Sequence, residues 1–303
     1  MPLITLRSGP VSARITTRGG CLLRLDHGDI PLLRPAAGDA GPLDSACYPL
    51  VPFGNRVRGN RFHFAGREYR LEPNTDRDPH YLHGQGWLSA WKVTRQSADS
   101  VALSHVHDGS ALPYTYEAGQ RITVLPDGAI LEISVINRGD RVMPFGIGLH
   151  PFFPLTPQAT LRTGTGRMWT EDPGHLPGGP VALPTEMNFS APRGLPGHRV
   201  NNGFEDWSGK AEIRWPERGA ALHIKADPVF RCMFLFKPDT VPIPGHPLDF
   251  FALEPMSHLA DGHNHDDLGG LAALAPGEAL AGAVHLRLET SQRGARRGTE
   301  GGV

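Results

Sequence analysis

Residues 120–137 read QRITVLPDGAILEISVIN. Apolar and polar residues alternate on both sides of Pro126-Asp127-Gly128, β-branched side chains dominate each arm, and Pro-Asp-Gly is a turn signal. This is a β-hairpin whose register the alternation fixes, since a slip of one residue would turn every apolar side chain to the wrong face. Residues 61–71, RFHFAGREYRL, repeat the pattern: Phe62 and Phe64 share a face, Ala65-Gly66 supplies the turn, and Tyr69 and Leu71 return on a second strand. Further strands are expected at 101–107, 221–226, 230–236 and 283–289, all rich in Val, Ile, Phe and Leu. Few stretches hold a 3.6-residue period for three turns. The chain is therefore read as all-β, with antiparallel sheets from two hairpin-rich halves packed face to face.

Composition agrees. Of 303 residues 39% are hydrophobic and 20% charged, which excludes intrinsic disorder, while 37 Gly and 29 Pro punctuate any long helix. A single domain over residues 1–290 is expected, because all-β units reach this size and no composition break divides the strands. The Gly- and Pro-rich segment 173–196 reads as a long surface loop. Residues 291–303, with no large apolar side chain before the final Val, read as a disordered tail. Lys and Arg number 30 against 31 for Asp and Glu, so no global field gathers nucleic acid or an anionic membrane, and a monomer or a homodimer is expected. Cys21, Cys47 and Cys232 form no CxxC pair, which argues against a disulfide framework and a thiolate metal site. No apolar run reaches the length of a signal peptide or a membrane span, and the expectation is a cytoplasmic protein.

Five segments carry polar and aromatic residues that a packed β core does not need. They are PFGNRVR (52–58), HYLHGQGW (80–87), GIGLHPFF (146–153), VNNGFEDW (200–207) and EPMSHLADGHN (254–264). Gathered at the strand ends and loops of a sandwich, they would form a shallow polar pocket with aromatic walls, which suits a sugar. In this order and at these separations the segments resemble the aldose 1-epimerase (galactose mutarotase) family over roughly residues 3–289. The resemblance implies a β-supersandwich (galactose mutarotase-like), no cofactor, and interconversion of the anomers of a free aldose, a small-molecule sugar.

That chemistry needs one base and one acid. Opening a cyclic hemiacetal removes the anomeric hydroxyl proton and delivers a proton to the ring oxygen; reclosure reverses both transfers. A histidine and a partly buried carboxyl suit the exchange of roles. The resemblance places the base at Glu254 and the acid at His150, and gives substrate contacts to Arg56, whose guanidinium fork bridges adjacent hydroxyls, and to His83. The family's Asp of a D-x-x-F segment falls on Asn201, an amide that accepts and donates without charge. Trp87 and Phe153 are candidates for an apolar wall. Three rivals stand beside this reading. The run His258, Asp261, His263, His265, Asp266 and Asp267 is dense in metal-ligand types, although Gly262 and Asn264 favour a solvated loop and the expectation is no metal. A binding module would keep the pocket without turnover. A mutarotase for phosphorylated aldoses would need a second cation near Arg56, for which Arg58, Arg61 and Arg77 are available.

Overall fold

The computed structural model describes residues 3–38, 40–110, 112–239 and 249–290; the tail expected at 291–303 lies outside them. The architecture is all-β, and among the described residues the only helices are seven single turns of 3-10 helix. None of these is long and apolar enough to cross a membrane.

Two large antiparallel sheets carry the structure. The first, of eleven strands, runs in the order Leu3–Ser8, Val11–Thr16, Leu22–His27, Cys47–Leu50, Gly148–Pro154, Phe250–Met256, Cys232–Lys237, Val200–Phe204, Met168–Asp172 and Leu176–Val181, with the short Ile30–Pro31 on Leu22–His27. The second, of eight, runs Lys92–Gln96, Ser100–Asp108, Thr115–Leu125, Gly128–Asn137, Ala279–Thr290, Ala220–Ala226, Lys210–Trp215 and Thr160–Thr163. Both hairpins form. Leu125 pairs with Gly128, so Pro126-Asp127 are the turn and Gly128 opens the return strand. Phe64 pairs with Arg67 around Ala65-Gly66, and Phe62 stacks on Tyr69 at 4.9 Å.

Burial follows the pleat. In Thr115–Leu125 every second side chain is buried, and Ile122 and Val124 meet Leu131, Ile133, Leu222, Ile224 and Leu286 of the same sheet in the core. From the eleven-stranded sheet Leu149, Phe153, Leu235, Phe251 and Leu253 enter that core from the other side. Apolar area removed from water on facing sheets at about 25 cal/mol per Å² is what holds such layers together. A second apolar cluster, including Tyr48, Trp87, Phe152, Phe234 and Ala252, lies on the opposite face of the larger sheet. Strands buried on both faces, such as Gly148–Pro154 and Phe250–Met256, do not alternate in sequence. The segment 173–196 departs from the expected loop: Leu176–Val181 pairs with Met168–Asp172 as an edge strand, the position in a sheet that tolerates its two prolines and two glycines.

Candidate functional site

The register of the eleven-stranded sheet brings the separated segments together. Tyr48 pairs with His150, and the Gly148–Met256 and Phe152–Ala252 pairs set His150 opposite Glu254. Glu254 pairs with Phe234, and Phe234 with Gly203. Two residues along each strand, Phe152, Ala252, Phe236 and Asn201 form the next row. Because residues i and i+2 share a face, both rows stand on the side away from the inter-sheet core.

His150 Nε2 lies 3.1 Å from Glu254 Oε1, and both side chains are buried. Burial pushes the Glu254 carboxyl well above the ordinary carboxylate range, with the Arg56 cation opposing it in part. Burial also pulls His150 down to about 3. Each group loses the hydration of its charged form, so the pair holds one proton in common and the neutral arrangement, Glu254 O–H donating to His150 Nε2, is favoured. Glu254 Oε2 and His150 Nδ1 are buried with no hydrogen-bond partner among the described residues.

His83 approaches from a loop. It adopts φ +58°, a left-handed conformation that costs a residue with a Cβ about 1 kcal/mol. Two bonds to Asn55 hold it there: His83 N–H donates to the Asn55 carbonyl at 2.9 Å, and Asn55 N–H donates to His83 Nδ1 at 3.0 Å. Nδ1 is therefore the acceptor, and the ring proton of neutral His83 sits on Nε2. Burial, followed by the charges of His150 and Arg56, holds His83 well below its ordinary value. Gly84 must be glycine, since a Cβ there would lie 2.5 Å from the Val51 carbonyl oxygen. The rings of His83 and His150 meet edge-on at 5.4 Å, and Tyr48 stacks on His150 at 4.5 Å.

Arg56 is mostly buried and is held by Asp78, whose Oδ2 accepts from Nε and from Nη2, each at 2.7 Å. Asn201 donates from Nδ2 to Glu171 Oε1 at 2.6 Å. It lines a small cleft with Trp169, His175, Phe234 and Leu259.

All five residues singled out from the sequence are thus buried or half-buried on or beside this face, and three side chains that sequence reasoning missed support them: Tyr48, Asp78 and Glu171. Cys47–Leu50 is buried throughout and does not alternate, so nothing in its sequence marks Tyr48; nothing local distinguishes Asp78 or Glu171 from a solvated acid. Trp87 belongs to the wall, stacking on Tyr48 at 5.6 Å. Phe153 does not: it faces the inter-sheet core, and its neighbour Phe152 stands 4.6 Å from the His150 ring.

The His- and Asp-rich run is solvated only in its second part, where Asn264, Asp266 and Asp267 are exposed; His258, Asp261 and His263 are buried. His258 Nε2 accepts from Gly54 N–H at 2.9 Å, and His263 Nε2 lies 2.9 Å from the Tyr114 hydroxyl, both histidines being buried. Asp261 accepts from the Arg58 N–H at 2.9 Å and from Asn264 Nδ2 at 2.7 Å. These bonds clip the segment after Glu254 to the loop that carries Arg56. Among the described residues no three His, Cys, Asp or Glu side chains come together as a metal-binding group. The three cysteines are free and buried, and burial pushes Cys21 and Cys232 up to about 12.

Known proteins resemble this chain in sequence and fold. The chain is 40% identical over 290 residues to the uncharacterized protein YphB of Escherichia coli (strain K12), covering 95% of this chain and 99% of that one. A crystal structure of an Escherichia coli K12 protein proposed to be an aldose 1-epimerase superposes with a TM-score of 0.92 at 40% identity, covering 96% and 99% of the two chains. A galactose mutarotase-like protein from Clostridium acetobutylicum shares the fold at a TM-score of 0.82 and 18% identity, over 95% of each chain. The family model described as aldose 1-epimerase matches residues 2–287. With the paired sheets and the motif-bearing strands in register, this chain belongs to the aldose 1-epimerase family.

Proposed function

We propose that the protein is a cofactor-free aldose 1-epimerase, an isomerase that interconverts the α and β anomers of a free aldose, with Glu254 as base, His150 as acid and Arg56, His83 and Asn201 holding the sugar. The observation that carries this reading is the buried carboxyl–imidazole contact of 3.1 Å. Ring opening must take a proton from the anomeric oxygen and give one to the ring oxygen, and both oxygens are bonded to C1. An acid and a base side by side match two oxygens on one carbon.

The proton balance closes within the pair. With the shared proton on His150, Glu254 accepts the anomeric hydroxyl proton while His150 protonates the ring oxygen; the C1–O5 bond breaks and C1 becomes the aldehyde carbon. The pair still holds one proton, now on Glu254. Rotation about C1–C2 presents the other carbonyl face, and the same transfers in reverse form the opposite anomer. Arg56 favours the ionised carboxylate that the base step needs. Neutral His83, protonated on Nε2, donates to a sugar oxygen, and Tyr48, Phe152 and Trp87 exclude water beside the pair.

A binding module would not need two ionisable groups buried against one another, a placement that costs stability. Of the three cations available to the phosphorylated-aldose reading, Arg58 has its guanidinium engaged by Asp261 and by the Pro177 carbonyl oxygen at 2.5 Å. The whole of residues 1–290 is proposed to act as one unit. Three buried free thiols suit a reducing cytoplasmic setting.

Polarimetry of freshly dissolved α-D-glucose and α-D-galactose, with and without protein, tests the proposal. Accelerated approach to the equilibrium rotation is expected for at least one of them. No acceleration of any free aldose by folded protein would refute it.

Asp78 provides a narrower check. Asp78→Asn keeps the shape but weakens the grip on the guanidinium, and the KM for the aldose is expected to rise about tenfold, the equivalent of one charge-assisted hydrogen bond, with kcat changed far less. An unchanged KM would mean that Arg56 does not touch the sugar.

A further inference from the structure

The family's carboxylate at the D-x-x-F position is an amide here, and the structure holds a carboxylate directly behind it. Glu171 Oε1 accepts from Asn201 Nδ2 at 2.6 Å, from Arg199 Nη2 at 3.1 Å and from His175 Nδ1 at 2.7 Å. Its Oε2 accepts from Arg199 Nη1 at 2.6 Å. Glu171 belongs to Met168–Asp172 and Asn201 to Val200–Phe204, strands paired through Met168 and Phe204, so backbone pairing fixes their separation. Burial raises the Glu171 carboxyl, but the bonds from Arg199, His175 and Asn201 outweigh it, and the group is held below its ordinary value. It stays ionised.

An ionised carboxylate only accepts hydrogen bonds, so it dictates which end of the Asn201 amide turns toward it. Nδ2 faces Glu171, and the carbonyl Oδ1 is left as the group that Asn201 offers to a ligand in the cleft it lines with Trp169 and Phe234. We infer that Glu171 is the positioning residue of the sugar site, locking Asn201 as an uncharged hydrogen-bond acceptor for a sugar hydroxyl. This rests on the proposal that the ligand is a free aldose. The negative charge of Glu171 stands one side chain behind Asn201 and is neutralised by Arg199. Recognition at this position then depends on the direction of an amide rather than on charge.

Reciprocal substitution tests it. In Asn201→Asp two carboxylates stand at hydrogen-bond distance and must share a proton, because like charges so close cannot both ionise. The variant is expected to show a KM raised about tenfold, the effect of one lost hydrogen bond to a charged partner, and a KM that varies with pH between about 6 and 8, while the wild-type KM is expected to stay level over the same range. Glu171→Gln leaves Arg199, His175 and Asn201 competing for one carbonyl oxygen, and a similar rise in KM with kcat within about twofold is expected. The double variant Asn201→Asp/Glu171→Gln restores one carboxylate facing one amide; its KM is expected to return to within about threefold of wild type and to lose the pH dependence.

The same series is read as binding. Trp169 lines the cleft with Asn201, so quenching of tryptophan fluorescence by D-glucose and D-galactose gives Kd values without turnover, and the Kd values are expected to follow the same order. Binding in this order without mutarotation would leave the inference standing and remove the proposed activity. Mutarotation with single-variant KM and Kd values equal to wild type would overturn the inference and leave the activity. A double variant no better than the worse single variant, or no binding of either sugar to any of the proteins, would also overturn it.

Discussion

The Glu254→Gln protein is expected to lose about three orders of magnitude in kcat for mutarotation, roughly 4 kcal/mol of barrier, within the range attributed to positioned acid–base groups. Gln has the shape of Glu and fills the same buried place, but its amide neither takes the anomeric proton nor gives one back. Its Nε2 donates to His150 Nε2, replacing the bond the carboxyl makes at 3.1 Å. His150 is then fixed as a neutral acceptor and the acid half of the reaction fails with the base half. The substrate contacts proposed for Arg56, His83 and Asn201 are untouched, so KM is expected to move little. The fold is expected to hold at neutral pH or to gain, because burial works against the ionised form of Glu254 and an amide has none. The measurement is polarimetry on wild type and variant at matched concentration, with a thermal melt as the control. A folded Gln variant that equilibrates α-D-glucose at the native rate would remove Glu254 from the chemistry.

What the sequence disclosed about this site follows from where the signals lie. Hairpins were legible because one face of each is half-exposed, so polarity alternates and the turn residues sit between the arms, as at Pro126-Asp127. The motifs holding His150 and Glu254 were legible as polar residues interrupting apolar runs. Their apposition was not, because it depends on the pairing of Gly148–Pro154 with Phe250–Met256, about a hundred residues apart in sequence. Both strands are buried on two faces, and without alternation the sequence does not mark Gly148–Pro154 as a strand, which is what sets Phe152 and not Phe153 on the face of His150. Asp78 and Glu171 were hidden for a different reason. Each stands in a polar segment where an acid reads as solvated, and only the folded chain sets Arg56 against the first and Asn201 against the second. The misreading of the first part of the His- and Asp-rich run has the same origin: local composition says loop, while Gly54 and Tyr114, far away in sequence, hold His258 and His263 in buried places.

Those buried histidines make acid stability the second large effect. His83, His150, His258 and His263 are all buried, and burial holds each below its ordinary value, His150 to about 3 and His258 to about 4. In the unfolded chain each titrates near 6.5. As pH falls below about 6.5 the unfolded state therefore takes up protons that the folded state refuses, and stability is lost on the acid side. Glu254 works the other way: its raised value keeps it protonated in the fold at a pH where the unfolded chain has released that proton, so it stabilises as pH falls toward the ordinary carboxylate value. The net uptake on unfolding near pH 5.5 is about three protons, or about 4 kcal/mol per pH unit, against a total of about 5–15 kcal/mol for an ordinary fold. The urea midpoint is expected to be nearly flat above pH 7.5 and to fall steeply between pH 6.5 and 5, with unfolding complete before pH 4. Glu254→Gln removes the opposing proton and is expected to make the fall steeper by about 1.4 kcal/mol per pH unit. A midpoint that stays level from pH 7 to 4.5 would mean that these imidazoles are charged in the fold, and with them the neutral form of the Glu254–His150 pair would have to be given up.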